Sequence, residues 1–454
     1  MKLKKNDELS LDITGVTQEG SGVGRIEGMV IFVPGCVTGD KVQVRIVGIR
    51  THFAYGKLLC IKTPSPARIS IDCSVFPRCG GCAFRHIDYS EELRIKEKRV
   101  SDALQHIAGL SVQLAPIMGC QKQNCYRNKA QLPVGKNKDG QVIFGFYASR
   151  SHRIVSIDDC LLQPPVFKKI MQAFRQWIKR ADVSIYNEQT GKGLLRHIFL
   201  RQASTTGELM ACAVINGSTL PQVDDLIQLC KDASPQLTSL VLNQNKARTN
   251  VILGDRCQTI WGKDKITDIL CELKLSLQPH SFYQVNSPQA ALLYQEAMRI
   301  ADLKPTDTLL DLYCGIGTIG LCMAKRVKQV IGVEVVAAAV ADAKENAEQN
   351  HIPNAVFYQA DAGDAADRLM QEGTKVDVVV VDPPRKGLQL QTIKTIARMV
   401  PSRVIYISCN PETLARDLVI FSQNGYKCTY VRPFDLFPRT AHVETCVLLS
   451  KKTA

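Results

Sequence analysis

Residues 308–320 read TLLDLYCGIGTIG, an apolar run that ends in a glycine-rich loop. Such a run predicts a buried strand, and the glycines let the backbone approach a ligand at the start of the next helix. Three more apolar runs follow at 330–334, 376–382 and 403–408, and helical stretches such as 337–349 separate them. This alternation of strand and helix predicts a doubly wound parallel sheet.

Polar side chains stand where the predicted strands end. They are Asp311, Tyr313, Glu334, Asp361, Asp382 and Cys409. In an open α/β sheet the ligand lies at the carboxyl ends of the strands, so this pattern predicts a binding site there, with Glu334 holding ribose hydroxyls. A nicotinamide dehydrogenase also uses a GxGxxG loop. The DPPR at 382–385 and the Cys-Asn-Pro at 409–411 argue against that class.

Cys409 follows the strand predicted at 403–408 and should emerge at its tip. A thiolate is the strongest side-chain nucleophile near neutral pH. Beside a methyl donor, it suggests addition to C6 of a pyrimidine, which activates C5 to attack a methyl sulfonium. A base must then remove the C5 proton. His442 and Glu444 alternate onto one face of the last strand, and both are candidates.

A cysteine cluster precedes the first long helix, which we expect from Ser90, as its N-cap, to about Leu110. Three cysteines fall within a short loop: Cys73, Cys79 and Cys82. A 4Fe–4S cluster or a structural zinc ion needs four thiolates. The best candidate for the fourth is Cys160, and on sequence alone Cys120 and Cys125 remain alternatives. The spacing does not separate iron–sulfur from zinc.

Two regions have the composition of an RNA-binding surface. Residues 1 to about 60 contain short alternating runs, such as 41–46, between glycine turns, which predicts a small barrel of the oligonucleotide-binding type. Residues 121–155 carry seven Lys or Arg and one acid, with aromatic residues between them. Basic side chains can hold phosphates, and aromatic side chains can stack with nucleobases.

The whole chain has 454 residues and a formal net charge of +14. Its 45% hydrophobic content excludes a disordered or fibrous protein. The charge favours an acidic partner, most simply nucleic acid. No apolar run approaches the ~20 residues of a membrane span, and residues 1–8 do not read as a secretory signal. We therefore expect a cytoplasmic protein that contacts no membrane and is a monomer.

Taken together, the motifs resemble those of the RNA (uracil-5-)-methyltransferases. The chain looks most like the branch that acts on 23S rRNA and carries a TRAM domain and an iron–sulfur cluster. The resemblance covers nearly the whole chain. It rests on the four cysteines and on YRNK at 126–129, SFYQVN at 281–286, LDLYCG at 310–315, DPPR at 382–385, SCNP at 408–411 and HVE at 442–444.

The resemblance implies a multidomain α/β fold. Residues 1–60 would form the TRAM barrel, 61–270 a central α+β iron–sulfur and RNA-binding domain, and 271–454 a Rossmann-like class I methyltransferase. The helix near 90–120 would pack on this last domain. The substrate would be RNA, most simply 23S rRNA. A tRNA enzyme, an adenine or cytosine methyltransferase, and a non-catalytic ribosome-assembly factor are the alternatives.

The resemblance also assigns roles to residues. Cys409 would be the nucleophile, and Glu444 rather than His442 would take the C5 proton. S-adenosylmethionine would lie against Gln284, Tyr313, Glu334 and Asp382. The 4Fe–4S cluster would bind Cys73, Cys79, Cys82 and Cys160. Thr318 departs from the Asn that some members carry in the glycine loop.

Overall fold

The structure is a computed structural model that describes residues 3–149 and 151–452. The outer ends of the predicted domains 1–60 and 271–454 therefore lie partly outside the described residues. Among the described residues, no helix combines the length and the apolar composition needed to cross a bilayer.

The N-terminal sheet has six strands in the order β1-β5-β6-β4-β3-β2, and of its pairs only β4 with β6 is parallel. The sheet curls so that β1 meets β3: Thr14 N donates to Val23 O at 2.8 Å, and Leu11 packs on Gly24, where a side chain would clash. The inward residues form a small apolar core. The strands are β1 Glu8–Asp12, β2 Gly15–Val16, β3 Ser21–Ile26, β4 Met29–Pro34, β5 Lys41–Ile49 and β6 Phe53–Thr63.

The first helix, α1, runs from Tyr89 to His106. Its N-cap is Asp88, not Ser90 as the sequence suggested, because the Asp88 carboxylate accepts the Ser90 backbone N–H at 2.9 Å. Val100 and Leu104 pack into the same core as the C-terminal sheet. Residues 64–88, between β6 and α1, contain no helix or strand and carry the cysteine loop.

The central sheet has seven strands in the order β13-β12-β11-β10-β7-β8-β9. Two helices, α2 Pro165–Arg180 and α3 Val223–Ala233, cover one face. On the other face, Phe199 and Cys212 join the core of the C-terminal domain. The strands are β7 Lys129–Lys136, β8 Val142–Tyr147, β9 Ile154–Ser156, β10 Leu195–Gln202, β11 Leu209–Ile215, β12 Leu237–Gln244 and β13 Arg256–Gly262.

A hairpin, β14 Ile266–Leu270 and β15 Leu273–Leu277, and then helix α4 Ser287–Ala301 lead into the C-terminal sheet. That sheet has the order β18-β17-β16-β19-β20-β22-β21. Its strands are β16 Thr308–Leu312, β17 Gln329–Glu334, β18 Ala355–Gln359, β19 Val378–Val381, β20 Arg403–Ser408, β21 Tyr426–Phe434 and β22 Glu444–Lys451.

Strands β16 to β20 are mutually parallel, as the alternating pattern predicted, and β22 is antiparallel to both of its neighbours. The helices α4, α5 and α6 cover one face of the sheet, and α1, α7, α8 and α9 cover the other. The remaining helices are α5 Thr318–Met323, α6 Ala337–Gln349, α7 Ala362–Gln371, α8 Leu390–Met399 and α9 Pro411–Gln423.

A buried ion cluster joins α1 to the loop after β21. The Lys96 ammonium donates to Glu92 at 2.7 Å and to Asp435 at 2.8 Å, and all three side chains are at most 1% exposed. Tyr89 donates its hydroxyl to the other Asp435 oxygen at 2.9 Å. Removing one charge from a buried cluster leaves its partners without compensation. Lys96 is therefore central to the attachment of α1.

Lys96→Met should lower the free energy of unfolding by about 3–5 kcal/mol, because two buried carboxylates lose their shared cation. Urea unfolding, followed by circular dichroism, measures the change. The matched control is Lys98→Met on the same helix, whose exposed pair with Asp102 should contribute less than about 1 kcal/mol. Equal effects of the two substitutions would contradict this account.

Candidate active site

The glycine-rich loop after β16 has a backbone that only a few residue types adopt. Tyr313 has φ +67°, Gly315 +54° and Gly317 +83°, in the left-handed region that favours glycine. The Gly315 N–H donates to Glu334 Oε2 at 3.1 Å, and the other carboxylate oxygen accepts from Val336 N at 3.0 Å. The loop and the end of β17 are thereby fixed against each other.

Asp311, in β16, binds the backbone that follows this loop. It is fully buried in β16, and its Oδ2 accepts the Gly320 N–H at 2.8 Å. A Cβ on Gly320 would lie 2.9 Å from that oxygen, so glycine is needed there. Burial, and after it the nearby Asp382 and Glu334 carboxylates, raise the pKa of Asp311 to about 7. Asp311 therefore orders the loop from within the sheet.

Strand register brings Cys409 and Glu444 together. In the antiparallel pair of β20 and β22, Ser408 lies opposite Thr445. Cys409 comes directly after Ser408, and Glu444 directly before Thr445. Cys409, just after the end of β20, and Glu444, at the start of β22, therefore lie side by side at one edge of the sheet. This is the carboxyl edge of the parallel strands, because β22 runs against them. Asp382 follows β19 at the same edge.

The charges at this edge are crowded. Burial first, and then the carboxylates of Glu444 and Asp382, raise the pKa of the Cys409 thiol to about 11. Burial and Asp382 likewise raise the pKa of Glu444 to about 8, and burial raises that of Asp382 to about 7. Asp382 opposes ionisation of Glu444, and both carboxylates oppose ionisation of Cys409, while the Arg385 charge partly offsets these effects. A further cation placed among them would favour the ionised forms. The site is therefore suited to a positively charged ligand.

His442, the other candidate base, is already engaged. Its Nδ1 lies 2.6 Å from a guanidinium nitrogen of Arg385. Burial and then Arg385 lower the pKa of His442 to about 4. The ring is therefore neutral at pH 7, and its Nδ1 lone pair accepts from Arg385. The sequence offered no signal for this pair beyond the presence of both residues in the two motifs.

Three asparagine hydrogen bonds hold the Gln284 segment in place. Asn128, just before β7, donates its backbone N–H to Val285 O at 2.8 Å and its side-chain amide to Gln284 O at 2.9 Å. Asn286 caps α4 and donates to Leu436 O at 2.9 Å. Sequence reasoning missed Tyr294, a buried α4 residue whose hydroxyl contacts the Gln284 side chain. Its helical position gave no sign of that role.

The cysteine loop forms a second site. One cavity of about 260 Å³ is lined by the four cysteines of the predicted set, together with apolar side chains and two arginines. Cys79 and Cys82 are near enough to Cys160 to raise its pKa further, after burial, to about 12. Cys120 instead contacts Asn286, and Cys125 is exposed. Among the described residues, no group of three or more Cys, His, Asp or Glu side chains is arranged to hold a metal ion.

Comparison with protein families agrees with the motifs. The tRNA (uracil-5-)-methyltransferase family matches residues 88–452, and the TRAM domain matches residues 2–59. The chain belongs to the tRNA (uracil-5-)-methyltransferase family. The predicted resemblance is thus confirmed at the level of family and of the N-terminal domain, and the chain is an RNA methyltransferase.

Relatives extend over the full length of this family member. A Clostridium tetani protein named "uncharacterized RNA methyltransferase" is 41% identical over 448 residues, 99% of this chain and 97% of the relative. A protein of the same description from Halalkalibacterium halodurans is 39% identical over 451 residues, 99% and 98% of the two chains.

One solved structure shares the whole architecture. It is the Pyrococcus abyssi tRNA (uracil-54, C5)-methyltransferase in complex with S-adenosyl-L-homocysteine. The two are 27% identical with a TM-score of 0.77, and the match covers 97% of this chain and 100% of the other. The multidomain arrangement is therefore shared by a family member of known reaction.

Proposed function

We propose that this enzyme transfers the methyl group of S-adenosylmethionine to C5 of a uridine in 23S rRNA. The observation that carries the proposal is the neighbouring position of Cys409 and Glu444 at the carboxyl edge of the sheet, beside Asp382. The similarity to an enzyme solved with S-adenosyl-L-homocysteine supports the donor and the C5 position.

The reaction begins with the thiol. Cys409 gives its proton to solvent, and the thiolate adds to C6 of the uracil ring, which moves an electron pair to C5 as an enolate. S-adenosylmethionine supplies a methyl group on a positively charged sulfur, which C5 can attack. Burial, and then the carboxylates of Glu444 and Asp382, raise the pKa of the Cys409 thiol to about 11. A cation beside it stabilises the thiolate, so donor binding favours the first step.

Glu444 completes the turnover. Its carboxylate takes the proton from the methylated C5, the electron pair re-forms the C5–C6 double bond, and the Cys409 thiolate leaves. A base works best when its pKa lies near the operating pH. Burial and Asp382 bring the pKa of Glu444 to about 8. The His442 Nδ1, held by Arg385, is less available for this step.

The donor site is formed by residues from four segments. Open space adjoins Gly315, where the methionine part of a donor fits, and Gly317 packs closely against Phe357. Glu334, at the end of β17, stands where a carboxylate accepts from ribose hydroxyls. Gln284, Tyr313 and Asp382 complete the set. Asp311 and Asp382 give this edge of the sheet an excess of acidic side chains, which fits a positively charged sulfonium better than a neutral ligand.

We also propose that the four cysteines hold a 4Fe–4S cluster. The cavity that they line has about 260 Å³, far more than the about 10–15 Å³ of one water-sized particle. Four thiolates on a single zinc ion would converge on one point. In a 4Fe–4S cluster each thiolate binds a different iron, so the sulfurs stand around a larger space. The nearby Arg85 and Arg127 would balance the charge of the thiolates.

The choice of 23S rRNA rests on the cysteine pattern, which resembles that of the rRNA branch. The alternative is tRNA, the substrate in the name of the Pyrococcus abyssi enzyme. The anaerobically purified protein should form 5-methyluridine in unmodified 23S rRNA and not in unmodified tRNA. Nucleoside mass spectrometry after incubation with S-adenosylmethionine tests this. Product in tRNA alone would overturn the substrate, and no product in either RNA would favour a non-catalytic factor.

Substitutions of Glu444 and Cys409 should block the reaction at different steps. Glu444→Gln should still add Cys409 to the uracil and methylate it but release product slowly, so a covalent protein–RNA band should accumulate on a denaturing gel. Cys409→Ala should form no such band and no product, and should still bind S-adenosylmethionine by calorimetry. Measurable methylation by Cys409→Ala would contradict the covalent mechanism.

Cys160→Ala should lower bound iron well below the about four atoms per chain expected of one cluster. Iron and acid-labile sulfide analysis of anaerobically prepared protein measures the change. Cys125→Ala is the matched control, since Cys125 is exposed and lies outside the cavity. Full iron in the first variant, or equal loss in both, would contradict the assignment of Cys160.

A further inference from the structure

A groove lies on the central sheet, away from Cys409. Along β7 it is about 26 Å from Asn128, at ~3.3 Å per residue. Its volume is about 800 Å³. It is formed by the ends of β7, β8 and β9 and by the loop before β10. We call it the distal groove and define it by Lys136, Lys138, Tyr147, Arg153, Tyr186 and His197.

The distal groove lies on the face of the sheet that α2 and α3 leave uncovered. His197 pairs with Pro133 across β10 and β7, and Ile198 beside it points into the helix-covered core. Alternation therefore turns His197 to the open face. Gly135 lets the Ile154 side chain pack closely against β7, because a Cβ at residue 135 would lie 2.6 Å from it. Farther along this face, Phe199 packs on the methyltransferase domain.

A bulge in β10 turns two consecutive polar residues into the groove. The register shifts between Leu195 and His197, which leaves Arg196 as the extra residue. The Arg196 guanidinium donates to Asn245 O and Ala247 O, both at 2.7 Å, and its carbon lies 4.4 Å from the Tyr186 ring centroid. Arg196 thus holds the Tyr186 ring in place.

His197 lines the groove with an uncharged ring. It is 7% exposed, and its buried Nδ1 has no hydrogen-bond partner among the described residues. Burial and the Arg196 charge lower its pKa to about 4, so the ring is neutral at pH 7. The wall of the groove at His197 therefore adds no charge to that of the surrounding cations.

Three cations stand around the groove. Lys136, Lys138 and Arg153 are exposed, and none forms an ion pair with a residue that the structure describes. Two carboxylates lie in this region, and both have other partners. Asp139, next to Lys138, accepts from the Asn137 amide at 3.4 Å. Glu188 contacts the Tyr147 hydroxyl at 3.0 Å and His152 at 2.9 Å. The cations are therefore available to an anionic ligand.

We propose that the distal groove binds a single-stranded segment of the substrate RNA, several nucleotides away from the target uridine. The inference rests on the proposed function. Lys136, Lys138 and Arg153 contact phosphates, and the aromatic rings stack with unpaired bases. A duplex keeps its bases stacked inside and its narrow major groove closed to side chains, so its bases cannot stack on the rings of the groove. Charge and aromatic rings together select single-stranded RNA.

The connection to the active site runs along β7. At one end of this strand is Lys136, in the groove, and at the other end is Asn128, which fixes the Gln284 segment. RNA held in the groove is thus connected to the Gln284 segment through β7 and the Asn128 hydrogen bonds. The groove should affect how tightly RNA binds, and not the rate of methyl transfer in the bound complex.

The test is a triple variant, Lys136→Gln/Lys138→Gln/Arg153→Gln, in the full-length protein. Its control, Lys168→Gln/Lys169→Gln/Lys179→Gln, removes the same charge from exposed positions on α2, on the opposite face. Fluorescence anisotropy measures binding of a labelled single-stranded oligouridylate, and of its duplex with oligoadenylate, over a range of salt concentrations.

The triple variant should bind the single strand at least about tenfold more weakly than the control. Its slope of log K against log salt should be shallower by about 2, since each lost phosphate contact removes ~0.7. The duplex should show little change. With 23S rRNA, KM should rise while kcat and donor affinity stay constant.

Equal binding by the triple variant and the control, or equal losses for single strand and duplex, would overturn the inference. Either result is separable from failure of the proposed function, because binding is measured without turnover. The wild-type protein could form no 5-methyluridine while the groove variant still loses affinity for the single strand. In that case the proposed reaction is wrong, and the proposal that the groove binds single-stranded RNA is retained.

Discussion

The antiparallel insertion of β22 between β20 and β21 is the constraint on which the active site depends. In a fully parallel sheet, a strand's first residue lies at the edge away from the ligand. Because β22 runs against its neighbours, its first residue, Glu444, lies at the ligand edge beside Cys409. A shift of the β20–β22 register by one residue would turn Glu444 to the other face of the sheet. The hydrogen-bond ladder of these strands thus fixes the position of Glu444 relative to Cys409.

The domains are held around this edge by polar contacts that reach across the sequence. Lys96 on α1 binds Asp435 after β21, and Arg99 binds Glu412 at the start of α9. Asn128 ties the central sheet to the Gln284 segment. Buried contacts of this kind are costly to leave unmade, so they specify one arrangement of the domains. The active site is consequently assembled from distant segments.

Much of the C-terminal domain could be predicted from sequence, because continuous apolar runs, glycine turns and residues at strand ends are local signals. The helix at 337–349 and the strand at 403–408 have the predicted bounds. Contacts through space could not be predicted. The sequence left Cys120, Cys125 and Cys160 as alternatives, whereas in the structure only Cys160 of these three lines the cavity of Cys73, Cys79 and Cys82. Tyr294, the Arg385–His442 pair and the bulge at Arg196 likewise depend on tertiary packing.

The crowding of Asp382, Glu444 and Cys409 has a consequence for the order in which ligands leave. Glu444 and Asp382 raise the pKa of the Cys409 thiol, and Asp382 raises that of Glu444, although the Arg385 charge acts in the opposite direction on both groups. In the proposed reaction, a sulfonium donor would bring a positive charge to this edge, and its demethylated product would be neutral at sulfur. Methyl transfer would then remove the attraction that favours binding, so the spent donor would be held less tightly than the fresh one. The electrostatics that favour entry of the donor would thereby oppose inhibition by the product.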